Sequence, residues 1–149
     1  MQRSIPCLFM RGGTSRGPFF LETDLPAEVE KRDAVLLSVM GSPDVRQIDG
    51  LGGSDPLTSK VGIVRRGQTP GVDLDFLFAQ VSIREARVDT TPNCGNMLAA
   101  VVPFGLETGS REHPLDLPAS YVENARRVAQ AQIALAGYRL AAVLNDKLK

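Results

Sequence analysis

Histidine is almost missing from this chain, and that scarcity removes more chemistry than any other feature of its composition. His113 stands alone, and Cys7 and Cys94 are the only cysteines. A zinc site built from thiolates and imidazoles takes three or four such ligands, so that kind of metal centre is excluded. No Ser/His/Asp or Cys/His arrangement for nucleophilic catalysis suggests itself either, because His113 lies in a polar linker. Two distant cysteines allow one disulfide at most, and reduced thiols in a cytoplasmic protein are the expectation. Net charge is absent as well, since 17 Lys and Arg are balanced by 17 Asp and Glu. No chain-wide attraction to polyanions follows, so no nucleic-acid partner is expected. No apolar run approaches the roughly 20 residues that cross a bilayer, so no membrane role is expected. The opening apolar stretch from Ile5 to Met10 is short and interrupted by Pro6, and it reads as a strand and not as a signal peptide. Internal repeats and low-complexity segments are also missing.

What remains is ordinary globular composition: 149 residues, 43% hydrophobic and 23% charged, enough for one domain with its own core. After the first strand comes the glycine-rich turn Arg11-Gly-Gly-Thr-Ser-Arg-Gly17, then a second strand around Phe19 to Leu21. Asp24 offers an N-cap, with Pro26 tolerated in the first turn and Glu28 and Glu30 near the positive helix end. Val29, Leu36, Leu37 and Met40 share one face of the predicted helix, and Gly41 stops it. A glycine-rich loop over Gly50 to Pro56 leads into a strand at Lys60–Val64, and a longer strand is predicted over Leu74–Ile83.

The stretch Gly95 to Leu106 is apolar on every side, the mark of a helix buried all round. Pro103 should kink or end it. The expected architecture is therefore α+β, with strands wrapped around a central apolar helix whose first turn carries Asn93-Cys-Gly-Asn96. From about Gly109 the character changes. Residues 109–118 read as a linker, and Ser120 with Glu123 reads as a capping box for a C-terminal amphipathic helix. Val122, Ala125, Val128, Ala129, Ile133, Ala136, Leu140 and Val143 form its apolar stripe.

Three short motifs can carry chemistry. In Arg11 to Gly17 the glycines admit close backbone approach and the hydroxyls and arginines suit carboxylate oxygens; the plain alternative is a turn with solvated arginines. In Gly52-Gly-Ser-Asp-Pro-Leu-Thr-Ser-Lys60 the phosphate-loop spacing is absent, which rejects a nucleotide site. Lys60 enters an apolar strand there, where it can act as a base, hold a carboxylate, or simply snorkel to the surface. In Asn93 to Asn96 a cysteine at a helix start gains thiolate character, and the free amides form a carboxylate site; the alternative is a buried, inert thiol.

Together and in this order, these motifs resemble the PrpF family, which has the diaminopimelate-epimerase-like fold. The resemblance rests on Ile5 to Gly17, on Met40 to Val61, on Ala86-Arg-Val-Asp89 and on Asn93 to Asn96, and it runs from about Ile5 to Glu107. It implies a cofactor-independent isomerase or tautomerase that shifts a proton in a small unsaturated polycarboxylic (keto) acid. Lys60 and Cys94 are the implied proton-transfer residues. Ser15, Ser54, Ser59, Asn93, Gly95 and Asn96 are the implied holders of substrate carboxylates. Family members are built from two similar barrels with the site between them, so residues 1–108 are expected to form an incomplete first barrel that supplies one wall. Its apolar helix would then need shelter from the C-terminal stripe or from a second copy in a homodimer. The other function class is a catalytically silent fragment that serves as a binding or assembly module. Residues 119–149 do not look like the family; Pro118 to Val122 and Ala136 to Asn145 are similar to the last helix of S1/P1 nucleases. With His113 as the only histidine, that family's metal chemistry does not carry over.

Overall fold

The computed structural model describes residues 4–110 and 119–147. His113, Pro118 and most of the predicted linker lie outside the described residues. The chain divides into two compact units, Met1–His113 and Pro114–Lys149.

The first unit is a five-stranded mixed sheet in the order β1-β2-β3-β4-β5. β1 (Leu8–Gly12) and β2 (Ser15–Leu21) form an antiparallel hairpin, β3 (Lys60–Arg66) runs parallel to β2, and β4 (Leu74–Val81) and the short β5 (Val88–Asp89) continue antiparallel. The hairpin turn is only two residues long because Gly12 pairs with Ser15. Gly13 takes φ 53° there, the backbone that two-residue hairpins ask of glycine.

Strand alternation sends successive side chains to opposite faces, and both faces are buried. Phe20, Val61, Ile63, Ala79 and Val81 pack with Leu36 and Met40 of α1 (Val29–Met40) on one side. On the other, Phe19, Val64 and Phe78 pack with Met97, Ala100, Val101 and Phe104. These last belong to α2 (Gly95–Leu98) and α3 (Val101–Glu107). Phe19 sits at the centre, its ring 5.7 Å from Phe104 and 6.4 Å from Phe76. Full burial of Phe19 and of Phe104 each contributes roughly 1.5–3 kcal/mol of apolar transfer free energy.

Several local expectations are corrected. α1 begins at Val29, not after Asp24, because Pro26 holds Leu25 extended (φ −104°, ψ 155°). It ends as expected at Gly41, whose φ is 72°. The apolar helix breaks at Ala99–Ala100 and not at Pro103. Pro103 falls in the first turn of α3, where no amide partner is lost. Nor is that helix pair buried all round: Leu98 is 55% and Leu106 41% exposed. Cys7 precedes β1 and is exposed, contrary to the strand pattern.

The described residues of the second unit form one helix, α4 (Ala119–Lys147). Of its predicted apolar stripe, Val128 and Val143 are exposed. No helix among the described residues is long and apolar enough to cross a membrane.

Candidate functional site

The three motifs meet at one end of the sheet. Gly17 lies so close to the Lys60 carbonyl that any side chain there would collide with it, and a side chain at Gly12 would meet the Asn96 carbonyl. Glycine is required at both positions by backbone approach alone. The Arg16 amide donates to the Leu57 carbonyl at 3.1 Å, which ties the first motif to the loop before β3. Asn96 donates from Nδ2 to Thr14 Oγ1 at 2.8 Å, which ties it to the third.

Lys60 is the first residue of β3, half-buried on the face that carries Phe78, with Nζ 5.3 Å from that ring's centroid. From there Nζ donates to Cys94 Sγ at 3.3 Å. Residues 34 apart in sequence are thus joined directly. Burial works against a charged Cys94, but the Met97 amide, the hydrogen bond and charge of Lys60, and the Ser15 hydroxyl outweigh it, so the thiol titrates below its ordinary value. The dipole expected from a helix start contributes little, since α2 is a single turn and a macrodipole needs a run of aligned peptides. One amide, one lysine and one hydroxyl do that work.

Ser15 is completely buried, and its Oγ has no partner at regular hydrogen-bond geometry. Its influence on Cys94 is therefore that of a donor aimed at the sulfur from a looser position. Asn93, Gly95 and Asn96 are all exposed, and nothing lies within 4 Å of where a Gly95 Cβ would stand. The surface beside Cys94 is open.

Two predicted holders of substrate are not in this cluster. Ser59 is adjacent to Lys60 in sequence, but strand alternation turns it to the opposite face. There it is fully buried, donating to the Val81 carbonyl at 2.8 Å and accepting from Gln47 Nε2 at 2.7 Å. Its hydroxyl is consumed by the fold. Ser54, exposed with φ 61°, donates its hydroxyl to the Arg46 carbonyl at 2.6 Å. Sequence reasoning missed Thr14, Gln47 and the Met97 amide. Thr14 stands inside the first motif, but a backbone amide and a buried glutamine give no local signal.

Asp89 ends β5 opposite Gln80, and the Thr91 hydroxyl and amide hold its carboxyl below the usual range. A cleft of about 350 Å³ opens beside it, lined by Pro56, Gln80, Arg84 and Arg87, and it does not include Lys60 or Cys94. Among the described residues, no three of His, Cys, Asp and Glu cluster closely enough to hold a metal ion.

A family model described as "PrpF protein" matches residues 2–135. This chain belongs to the PrpF family. The match continues past Glu107 into α4, further than the motifs alone carry it. Among relatives, the 4-oxalomesaconate tautomerase of Pseudomonas putida is 55% identical over 137 residues, covering 89% of this chain and 37% of that protein. The 3-methylitaconate isomerase of Eubacterium barkeri is 56% identical over 106 residues, 71% of this chain and 28% of that protein. A crystal structure of a methylitaconate-delta-isomerase superposes with a TM-score of 0.69 at 55% identity, covering 71% of this chain and 47% of that one. The chain thus spans less than half the length of these PrpF-family relatives.

Proposed function

We propose that this chain supplies the proton-transfer wall of a cofactor-independent isomerase acting on a small unsaturated polycarboxylic acid, most like 4-oxalomesaconate. The observation that carries the reading is the Lys60–Cys94 contact at 3.3 Å beside an open, amide-rich surface. Moving a proton along a conjugated acid requires one group to take it and another to return it, while the intervening enolate-like charge is stabilised. Lys60 and Cys94 form such a pair. Asn93, Gly95 and Asn96 surround it with donors for carboxylate oxygens, the buried Ser15 hydroxyl acts on the Cys94 sulfur, and exposed Gly95 leaves room for a ligand to reach the backbone. We assign this contribution to residues 1–108, as part of a diaminopimelate-epimerase-like barrel. That the P. putida relative is named a 4-oxalomesaconate tautomerase supports the substrate class.

The test is a graft of residues 1–108 in place of the corresponding part of the P. putida relative, with 4-oxalomesaconate tautomerisation followed spectroscopically. The graft should turn over, and Lys60→Ala within it should lower kcat by at least about 100-fold, the lower range for losing an acid or base. Lys60→Arg should not restore activity, because arginine does not release its proton at working pH. Near-normal turnover in either variant would move Lys60 to a structural role.

One observation favours the second reading, a silent binding or assembly module. Leu98 and Leu106 leave apolar surface exposed on the α2–α3 pair, and such surface favours association. A homodimer without turnover, seen by solution mass and assay together, would support that reading over the first.

A further inference from the structure

We propose that Gln47 is a positioning residue for Lys60, holding from the far face of the sheet the strand end that presents Lys60 to Cys94. Gln47 is 1% exposed, in a loop between α1 and β3. Its φ of 48° is a left-handed conformation that is unfavourable for a non-glycine residue. Such a conformation persists only where surrounding contacts over-determine it. Here they do: Nε2 donates to Ser42 Oγ at 3.0 Å and to Ser59 Oγ at 2.7 Å, and Oε1 accepts from the Ser54 amide at 3.0 Å. Both amide hydrogens and the carbonyl oxygen are used. Gly52 packs against the same side chain so tightly that a Cβ there would strike it.

The consequence falls on Lys60 through Ser59. Ser59 Oγ passes the contact to the Val81 carbonyl, the Val81 amide returns a bond to the Ser59 carbonyl at 3.0 Å, and Gln80 Nε2 adds another at 2.8 Å. Ser59 is thereby fixed through both its side chain and its backbone, one residue before Lys60. Without Gln47 the Ser59 hydroxyl loses its buried donor, and the loop from Ser54 loses its anchor. The start of β3 is then free to shift, and a lysine whose contact with sulfur is already 3.3 Å long has little margin.

This deepens the isomerase reading and rests on the same pair, but its test reads the thiol and not turnover, so the two can fail separately. The intact chain is alkylated with iodoacetamide across pH 6–10, and the peptides bearing Cys94 and Cys7 are quantified by mass spectrometry. Gln47→Met keeps the side chain's length and removes its hydrogen bonds. It should slow Cys94 at neutral pH by at least about twofold, move its pH profile upward, and leave Cys7 unchanged. Ser59→Ala, which removes one hydroxyl and leaves little to unfold, should move Cys94 in the same direction. In a Lys60→Met background neither change should have further effect, since the charge being positioned is gone. Cys94 reactivity at the wild-type level in a folded Gln47→Met or Ser59→Ala protein would overturn the proposal. So would an effect of undiminished size in the Lys60→Met background, which would make the role merely structural.

Discussion

Replacing Lys60 by methionine isolates the charge that acts on Cys94. Methionine keeps an unbranched stem to lie against Phe78, so packing changes little while the ammonium is lost. Two unit charges 3.3 Å apart attract by about 1.3 kcal/mol at the dielectric constant of bulk water. That lower limit is the appropriate one, because Cys94 is only partly buried and solvent screens the pair. Removing the attraction lowers the thiolate population at neutral pH by just under tenfold. A more basic thiolate is intrinsically more nucleophilic, with a Brønsted slope of about 0.4–0.5, which returns roughly a factor of three. The net expectation is alkylation of Cys94 about threefold slower at pH 7, with the upper plateau of its pH profile raised by roughly a factor of three. Cys7 is the internal standard: although exposed, it is partly desolvated, which raises its thiol, and no lysine figures among the causes. In the unaltered protein Cys94 should therefore react well ahead of Cys7. Equal rates for the two thiols, or a Lys60→Met protein with an unchanged Cys94 profile, would refute the coupling.

Glycine substitutions should separate backbone packing from ligand access: Gly17→Ala, forced against the Lys60 carbonyl, should cost about 1–3 kcal/mol in denaturant unfolding. Gly95→Ala, with open space around it, should leave stability within about 0.5 kcal/mol; a loss comparable to Gly17→Ala would show that the surface beside Cys94 is not open. Phe104→Ala removes a ring packed on Phe19 and should cost about 3–5 kcal/mol, again read by denaturant unfolding. Stability should also depend on pH through Cys94, whose folded pKa lies below its unfolded value. In the window between the two, the unfolded chain binds more protons, so unfolding free energy should rise with pH relative to a Cys94→Ser protein. The excess should be complete above the ordinary thiol value of about 8.5 and disappear as pH falls through the folded value. A difference that does not vary with pH would mean that Cys94 is not perturbed in the native state.

Where a segment's own pattern settles its conformation, the sequence was readable. Apolar runs beside turn glycines placed β2, β3 and β4 to within a few residues, and Gly41 marked the end of α1 because its left-handed φ is a local property. Asp24 failed as a helix cap because the proline two residues on dictates the conformation of Leu25, a competing local rule that outranked the cap. β5, at two residues, is too short to leave a periodicity. The break at Ala99–Ala100 was illegible because alanine favours helix, and packing of Met97 and Phe104 onto the sheet decides the geometry there. For the site, spacing alone left Lys60 and Cys94 as unrelated candidates. The family resemblance joined them, and the 3.3 Å contact gives that pairing a physical form. That Ser59 and Lys60 part company was not legible for a definite reason: in a motif read as a string, neighbours look alike, whereas in a strand they face opposite ways.

Under the proposed isomerase reading, that alternation also lets one short strand end be both rigid and reactive. A group that moves protons must be held firmly, yet the bonds that hold it must not compete for the proton. At β3 the two demands fall on consecutive residues. Ser59 turns its side chain toward α1 and takes the Gln47 and Val81 bonds in buried surroundings, where hydrogen bonds are strong and unmade ones are expensive, while its carbonyl accepts from a part-buried Gln80. Lys60 turns the other way, and only an aromatic face and the Cys94 sulfur meet its ammonium among the contacts just described. Of these contacts only the one to sulfur uses a donor, which takes one of the three Nζ hydrogens and leaves two for a ligand. A polar anchor on the Lys60 side would have fixed the lysine equally well and left it less free to exchange a proton with a ligand. Gly17 completes the arrangement by letting β2 approach the Lys60 carbonyl without placing a side chain in the same space. The glycine, the serine and the glutamine thus hold the backbone, and the lysine and cysteine are left to face the open surface.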